Sequence, residues 1–373
     1  MGIFISDTGV IFMDNTHKRG VLFYLRVVIC TLLVLNIAVS LVLSIIHIVK
    51  RTFEYDRLSI AGYTSISWAK DYPLNISCYG NPDSSHTIVA LSGIGISDFS
   101  VSLRPVTDRL ADDNLIVFID RAGYGLSHDT MKKQTTERIV EDYRSALKNA
   151  GFEAPYVLLP HSLGGAYATY WESRYPDEIE GIAFLDTTAL NEEFLPESKS
   201  SLMSNVYPML CKMGMHRLAL KRYFSLLPDS YSIEQQKLSK MLYSYCGYSY
   251  AQLSEEKNIK KNCQTALKSI VRNDIPKLYI CSSRGFENRD EVKEYVEWSD
   301  SIMKKSGLQK IGYSDEDADR TIQNCTKYID EVIMPYLDRL GSCEFTRLAG
   351  SHMIYEQKPD ECAEIIRDFI KRL

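Results

Sequence analysis

From Val27 to Val49 the chain reads VVICTLLVLNIAVSLVLSIIHIV, an apolar run without a formal charge that Lys50 and Arg51 close. A helix of roughly 20 such residues crosses the ~30 Å hydrocarbon core of a bilayer, so the run predicts a transmembrane helix over 27–49, with residues 1–26 as a mixed leading segment. The run is longer than the ~7–15-residue core of a cleavable signal, and no small-residue cleavage site follows, which favours an uncleaved anchor. Lys18, Arg19 and Arg26 before it balance Lys50, Arg51 and Arg57 after it, so charge gives no orientation. A bulky domain behind one N-terminal anchor favours the extracytoplasmic side.

From Tyr63 the pattern changes. Tyr63–Trp68 and Leu74–Tyr79 predict an antiparallel pair, and Thr87–Leu91 a short buried strand leading to Ser92-Gly-Ile-Gly95 and a helix from Asp98 to about Ala111. Leu115–Ile119 is the next strand. A helix from about Thr136 to Ala150 follows, with Ile139, Tyr143 and Leu147 on one face. Then come a strand over Tyr156–Leu159, a helix over Leu163–Arg174 and a strand over Gly181–Leu185. This alternation implies right-handed βαβ crossovers and a mostly parallel sheet covered on both faces.

Between about Asn191 and Asn273 the alternation stops, and only helical periodicity remains. Strands resume at Lys277–Cys281 and Glu344–Leu348, with helical stretches near Asp290–Lys304 and Arg320–Leu340 and a last helix from Pro359. The predicted class is therefore α/β. The mostly parallel sheet domain is split into 63–190 and 274–373 by an inserted helical cap over 191–273, and one transmembrane helix precedes it.

Composition changes this picture little. In 373 residues the formal net charge is −5, with Lys and Arg scattered rather than banded, which argues against a nucleic-acid partner. Nine cysteines include no C-x-x-C pair, so metal-ligand spacing is absent and neither a metal nor an organic cofactor is expected. Cys211, Cys246 and Cys263 share one region, where a disulfide is conceivable. Asn75-Ile-Ser77 and Asn324-Cys-Thr326 match the glycosylation sequon.

The stretch that carries chemistry is Tyr156-Val-Leu-Leu-Pro-His-Ser-Leu-Gly-Gly165. A buried strand, a tight turn with Ser162 at its apex and a glycine-led helix make the layout of a nucleophile elbow. Small residues leave room where the helix start crosses back over the strand. The first glycine of the usual G-x-S-x-G is here Pro160. A serine hydroxyl is almost un-ionised at neutral pH and needs an adjacent base.

Taken in order, Ser92-Gly-Ile-Gly95, Asp120-Arg-Ala-Gly-Tyr-Gly-Leu-Ser127, His161-Ser-Leu-Gly-Gly165 and Gly350-Ser-His352 resemble the α/β-hydrolase superfamily over roughly residues 63–373. Within it the chain is similar to capped, membrane-anchored bacterial members related to proline iminopeptidases and esterases. The resemblance implies the α/β-hydrolase fold, Ser162 as nucleophile, His352 as base, and an oxyanion hole made by the main-chain amides of Leu163 and Ile94. Asp120-Arg121 and Gly123-Tyr-Gly125 would organise the floor of the site. His161, His86 and His128 do not hold the position after the last strand.

The acid stays open. The commonest aspartate, after the Lys277–Cys281 strand, is missing from Ser282-Ser-Arg-Gly285, which leaves Asp186, at the end of the preceding strand, and Glu287 and Asp290. The activity implied is a serine hydrolase acting on a small-molecule ester or a short peptide or amide. A carboxylesterase comes first and a proline iminopeptidase-like aminopeptidase second; an inactive binding module is the non-enzyme alternative. The aminopeptidase needs acidic cap residues for a free α-amino group, for which Glu192, Glu193, Glu197 and Glu234 are available. Dehalogenases and epoxide hydrolases of this fold use an aspartate nucleophile, against which Ser162 argues. Cap aromatics (Tyr207, Phe224, Tyr231, Tyr243, Tyr245, Tyr248 and Tyr250) are expected chiefly to pack the helical subdomain.

Overall fold

The computed structural model describes residues 4–5, 11–12, 15–198, 200–219, 231–305 and 307–373; Phe224 lies outside them. Apart from a two-residue pairing of Phe4–Ile5 with Ile11–Phe12, the strands form one eight-stranded sheet. These are β1 (Ile66–Trp68), β2 (Pro73–Gly80), β3 (Thr87–Leu91), β4 (Leu115–Ile119), β5 (Tyr156–Pro160), β6 (Ile179–Leu185), β7 (Lys277–Cys281) and β8 (Cys343–Arg347). Their order is β1-β2-β4-β3-β5-β6-β7-β8. Only β2 runs against its neighbours; all other pairings are parallel.

The parallel strands read as continuous apolar runs because both faces are covered. Successive residues of β5 point to opposite faces. Leu158 joins a core with Phe184, Tyr143 and Trp171, while Val157 and Leu159 join another with Ile366 and Phe369 of the C-terminal helix Pro359–Ile370. Strand order reverses between β3 and β5, and the loops leaving the carboxyl ends of strands there form the crevice where sheets of this kind bind ligands.

Between β6 and β7 the chain is helical in Leu202–Lys212, Ile233–Cys246 and Tyr250–Ser269. The last of these packs on the helix Gly164–Arg174, sending Ala251, Ile259, Cys263 and Ala266 into the main core. Cys211, Cys246 and Cys263 are free thiols. Asn75 is buried in the sheet, its side chain bonded to Tyr63 and Asp120, so that sequon is sealed in the folded chain.

Two elements differ from the sequence pattern. In place of one helix over Asp98–Ala111, the chain makes two single turns, Phe99–Ser102 and Arg104–Thr107; Pro105 supplies no N–H and breaks the ladder. The last long helical stretch starts earlier, at Asp315, and passes through a π-helical turn at Ile329–Ile333. Pro335, two residues on, cannot donate to the Glu331 carbonyl, which accepts from Asn191 Nδ2 instead, at 3.2 Å.

The N-terminal helix α1 spans Asn15–Ile60, well beyond the apolar run. Its stretch Arg19–Ile60 is long and apolar enough to cross a membrane, and the apolar residues from Val21 to Val42 are exposed. Past that, the helix docks on the helical insertion. His47 is buried against Gly214, where an added Cβ would come within 2.6 Å of the His47 Cβ. Arg217 grips Glu54 through two hydrogen bonds of 2.7 and 2.8 Å and donates to His47 Nδ1 at 2.8 Å. Leu58 is fully buried with Leu238 and Leu242.

A charged pair ties the sheet to the elbow helix in the interior. Lys277, opening β7, meets Glu172 of the elbow helix at 2.9 Å, with both side chains at 0% exposure. Its ammonium also donates to Asn273 Oδ1 and the Ile275 carbonyl, each at 2.8 Å. Breaking such a pair leaves an uncompensated buried charge, at about 3–5 kcal/mol. Lys277→Met should therefore lower the urea midpoint of the detergent-solubilised protein sharply, and adding Glu172→Met should restore much of the loss. An unchanged midpoint in the single variant would remove the pair as a determinant of stability.

Candidate active site

Ser162 sits between β5 and the helix Gly164–Arg174 with φ at 52°, a left-handed conformation that a non-glycine residue adopts only where the surroundings enforce it. They do. A Cβ on Gly164 would come within 2.4 Å of the Leu91 carbonyl, and one on Gly165 within 2.5 Å of the Thr187 side chain. Gly93 faces the serine itself, since a Cβ there would lie 2.7 Å from the Ser162 Cβ. Pro160 fits for a different reason. Pairing of β5 with β6 runs through Leu158↔Ile182 and resumes only at the isolated bridge His161↔Leu185. The gap falls where proline has no N–H to give.

His352 lies beyond β8 and reaches back to the elbow. Its Nε2 is 2.9 Å from Ser162 Oγ and its Nδ1 is 2.7 Å from Asp186 Oδ2. Asp186, at the end of β6, is 6% exposed and itself has a positive φ of 43°. Its other oxygen accepts from the amides of Ser282 and Ser283 at 2.7 and 3.0 Å. Burial pushes this carboxyl up, but the hydrogen bond and charge of His352 together with the two serine donors outweigh it and hold the group below the ordinary aspartate value. The loop after β7, where the sequence left Glu287 and Asp290 open, thus supplies amide donors to Asp186. Glu287 pairs instead with Arg347 at 2.9 Å, and Asp290 is exposed in the first turn of the helix Arg289–Lys305.

The other histidines occupy different places. His86 pairs with Glu180 at 3.1 Å, and His128 borders a cavity against α1. His161 is fully buried, pushed down to about 3 first by burial and then by the neighbouring His352 imidazole. It is therefore neutral, and its Nε2–H donates to the His352 main-chain carbonyl at 2.9 Å. His161 thus pins the backbone of His352 while Asp186 orients the ring. The residue beside the serine in the motif gave no hint of that contact.

The amides of Leu163 and Ile94 have no acceptor among the described residues. The loop carrying Ile94 is supported by Arg121. The guanidinium donates to the Ser92 carbonyl at 2.6 Å, the Ser92 hydroxyl at 3.1 Å and the Gly93 carbonyl at 2.8 Å. Its charge is met by Glu255, 3.3 Å away in the helix Tyr250–Ser269, and Glu255 also accepts from Tyr167 at 2.5 Å. Asp120 braces the same turn, accepting from Leu126 N and Asn75 Nδ2, each at 3.0 Å. Glu255 escaped the sequence reading because a buried arginine demands a counter-charge without saying where along the chain it lies.

Two clefts border residues of this site. One, of about 290 Å³, runs past Ile94 between Tyr124, Tyr248 and Ile259, with Glu197 and Glu256 among its lining residues. The other, of about 260 Å³, lies beside His352 and Asp186 and is lined by Thr187, Thr188, Ser283, Arg284 and Tyr328. Glu197 is held by Lys260 at 2.6 Å; Glu192 and Glu193 line neither cleft.

A family model described as serine aminopeptidase, S33, matches residues 83–241. The uncharacterised protein YbdG of Bacillus subtilis is 23% identical over 301 residues, covering 80% of this chain and 83% of that one. A shorter match, to the uncharacterised YqjL of the same organism, is 33% identical over 30% of this chain and 44% of that protein. Among solved structures, the epoxide hydrolase CorEH aligns at a TM-score of 0.56 with 15% identity, over 83% of this chain and 98% of its own. The enol-lactonase of Burkholderia xenovorans LB400 aligns at 0.53, also with 15% identity, over 82% and 100%. These structures share the fold of the eight-stranded sheet. The chain thus has the fold of the α/β-hydrolases, and the family match lies over the loop that carries Ile94 and over the elbow.

Proposed function

We propose that the chain is a membrane-anchored serine hydrolase that cleaves an ester or amide through an acyl-enzyme. The observation that carries this reading is the unbroken line of hydrogen bonds from Ser162 Oγ through His352 to the buried Asp186 carboxylate. In the first half-reaction, Ser162 Oγ attacks the substrate carbonyl as His352 Nε2 takes its proton. The oxyanion forms against the amides of Leu163 and Ile94. His352 then returns the proton to the departing oxygen or nitrogen. Water, deprotonated by the same imidazole, attacks the acyl carbonyl and frees Ser162 with its proton restored. Asp186 stays ionised, holding the Nδ1–H tautomer and stabilising the imidazolium as it forms.

Among substrates, a carboxylic ester comes first. His352 is 48% exposed at its side chain and Ser162 half-buried, so a small ester can approach the pair, and the enol-lactonase of similar fold acts by its name on a cyclic ester. A second reading, an aminopeptidase, draws on the description of the matching family and on Glu197 and Glu256 bordering the cleft past Ile94. Those carboxylates lie where a free α-amino group would need a counter-charge.

The anchor belongs to the same proposal. The exposed apolar stretch of α1 crosses the bilayer, and the docked segment from His47 to Leu58 holds the catalytic unit at its surface. Met215 and Leu218, exposed in the turn that follows Gly214, sit beside the point where α1 leaves the protein and suit the interface.

Asp186→Asn should lower ester turnover by about 10³–10⁴-fold with the fold intact by circular dichroism, because the imidazole loses its tautomer and its counter-charge. A rate near that of the parent would remove Asp186 from the mechanism. An alkaline carbonate wash should leave the full chain in the membrane pellet, while a variant lacking residues 1–46, which keeps His47, Glu54 and Leu58 docked, should appear in the supernatant. Release of the full chain by the wash would contradict a spanning helix.

A further inference from the structure

The loop after β7 does more than hold Asp186. Ser282 and Ser283 turn their amides onto Asp186, and the next residue, Arg284, borders the cleft of about 260 Å³ that also has His352 and Asp186 in its wall. Among the described residues no carboxylate lies within ion-pair distance of Arg284. Asp186, in the wall of the same cleft, is committed to His352 and the two serine amides, and Glu287, three residues on in the chain, is taken by Arg347. The guanidinium is not loose, for it stacks on the Tyr328 ring with its carbon 5.3 Å from the centroid, a contact that fixes a cation without neutralising it. The cleft is tied to the nucleophile too, since the Thr188 amide donates to the Ser162 carbonyl at 3.0 Å.

We propose that this cleft is an oxyanion-accepting subsite, so that the substrate carries a carboxylate or phosphate on its leaving group and Arg284 binds it. The inference rests on the serine-hydrolase reading above and names the substrate class for it. Three observations set the placement. His352 must hand its proton to the leaving atom, and the subsite shares His352 as a wall. Arg284 presents a planar fork of donors that matches carboxylate and phosphate oxygens. The cleft past Ile94 has Glu256 among its lining residues, beside a Glu197 already paired with Lys260, and the Glu256 carboxylate disfavours an anion there, which leaves the Arg284 side for the charged end of a substrate.

The test uses three acetate esters whose leaving groups differ in charge: methyl 4-acetoxybenzoate, which is neutral, 4-acetoxybenzoate, which carries a carboxylate, and 4-acetoxyphenyl phosphate. The detergent-solubilised full chain is assayed at low salt. The expected result is that kcat/KM for at least one anionic ester, divided by that for the neutral ester, exceeds unity by roughly tenfold, mostly through KM, as for a charge-assisted hydrogen bond. The better of the two anionic esters tells carboxylate from phosphate. Arg284→Gln should collapse that ratio, Arg284→Lys should keep part of it, and 0.5 M sodium chloride should compress it in the parent protein. A ratio at or below unity in the parent, or one that is the same in the parent and Arg284→Gln, overturns the subsite while turnover of the neutral ester leaves the hydrolase reading standing. Absence of turnover on all three, together with failure of Ser162 to acquire an acetyl group, overturns the hydrolase reading itself.

Discussion

Two hydrogen bonds from one imidazole, 2.9 Å to Ser162 and 2.7 Å to Asp186, join loops that lie 190 and 166 residues apart in the chain. A ring of fixed shape meets both partners only if β5, β6 and β8 end at the same edge of one sheet and in a fixed register. The parallel pairing supplies that: β8 lies in register with β7, β7 with β6 and β6 with β5. The hydrophobic cores on the two faces, built from alternate residues of the same strands, set the sheet that these loops are measured against. Loss of a fraction of an ångström in that framework is felt at the serine, because a reacting pair held about 1 Å off its geometry can lose about a hundredfold in rate.

Around the imidazole the protein spends its buried polar groups on holding main chain in place. His161, neutral and sealed, clamps the His352 carbonyl. The Ser282 and Ser283 amides fix Asp186, and Arg121 takes the carbonyls of Ser92 and Gly93, next to an Ile94 amide that has no acceptor among the described residues. The charge of Arg121 is met from the helical insertion by Glu255. That insertion therefore touches the loop carrying Ile94 from one side and grips the N-terminal helix through Arg217, Glu54 and His47 on another. The helix α1 and the candidate site are thus linked by one packed body of helices.

Much of this was legible in the sequence because it depends on local order. Apolar runs of strand length, glycine at 164 and 165, and a histidine soon after the last strand each follow from neighbours in the chain. The helix expected over Asp98–Ala111 is two single turns, because Pro105 has no N–H to continue the ladder and a stretch this short has few other bonds to carry it past the break. The carboxylate beside His352 was not decidable. Asp186, Glu287 and Asp290 all follow strands, and which one meets the imidazole depends on loop paths that no periodicity encodes. The same holds for Glu255 and for the His161 contact, both of which join distant segments.

The central claim, that Ser162 is a nucleophile activated by His352, is tested most directly by treating the folded, detergent-solubilised chain with a fluorophosphonate and mapping the adduct by peptide mass spectrometry. The account predicts one phosphonyl group per chain, on Ser162, formed quickly in the parent protein and lost in His352→Ala. Labelling that is absent, falls on another residue, or proceeds equally fast without His352 would contradict it.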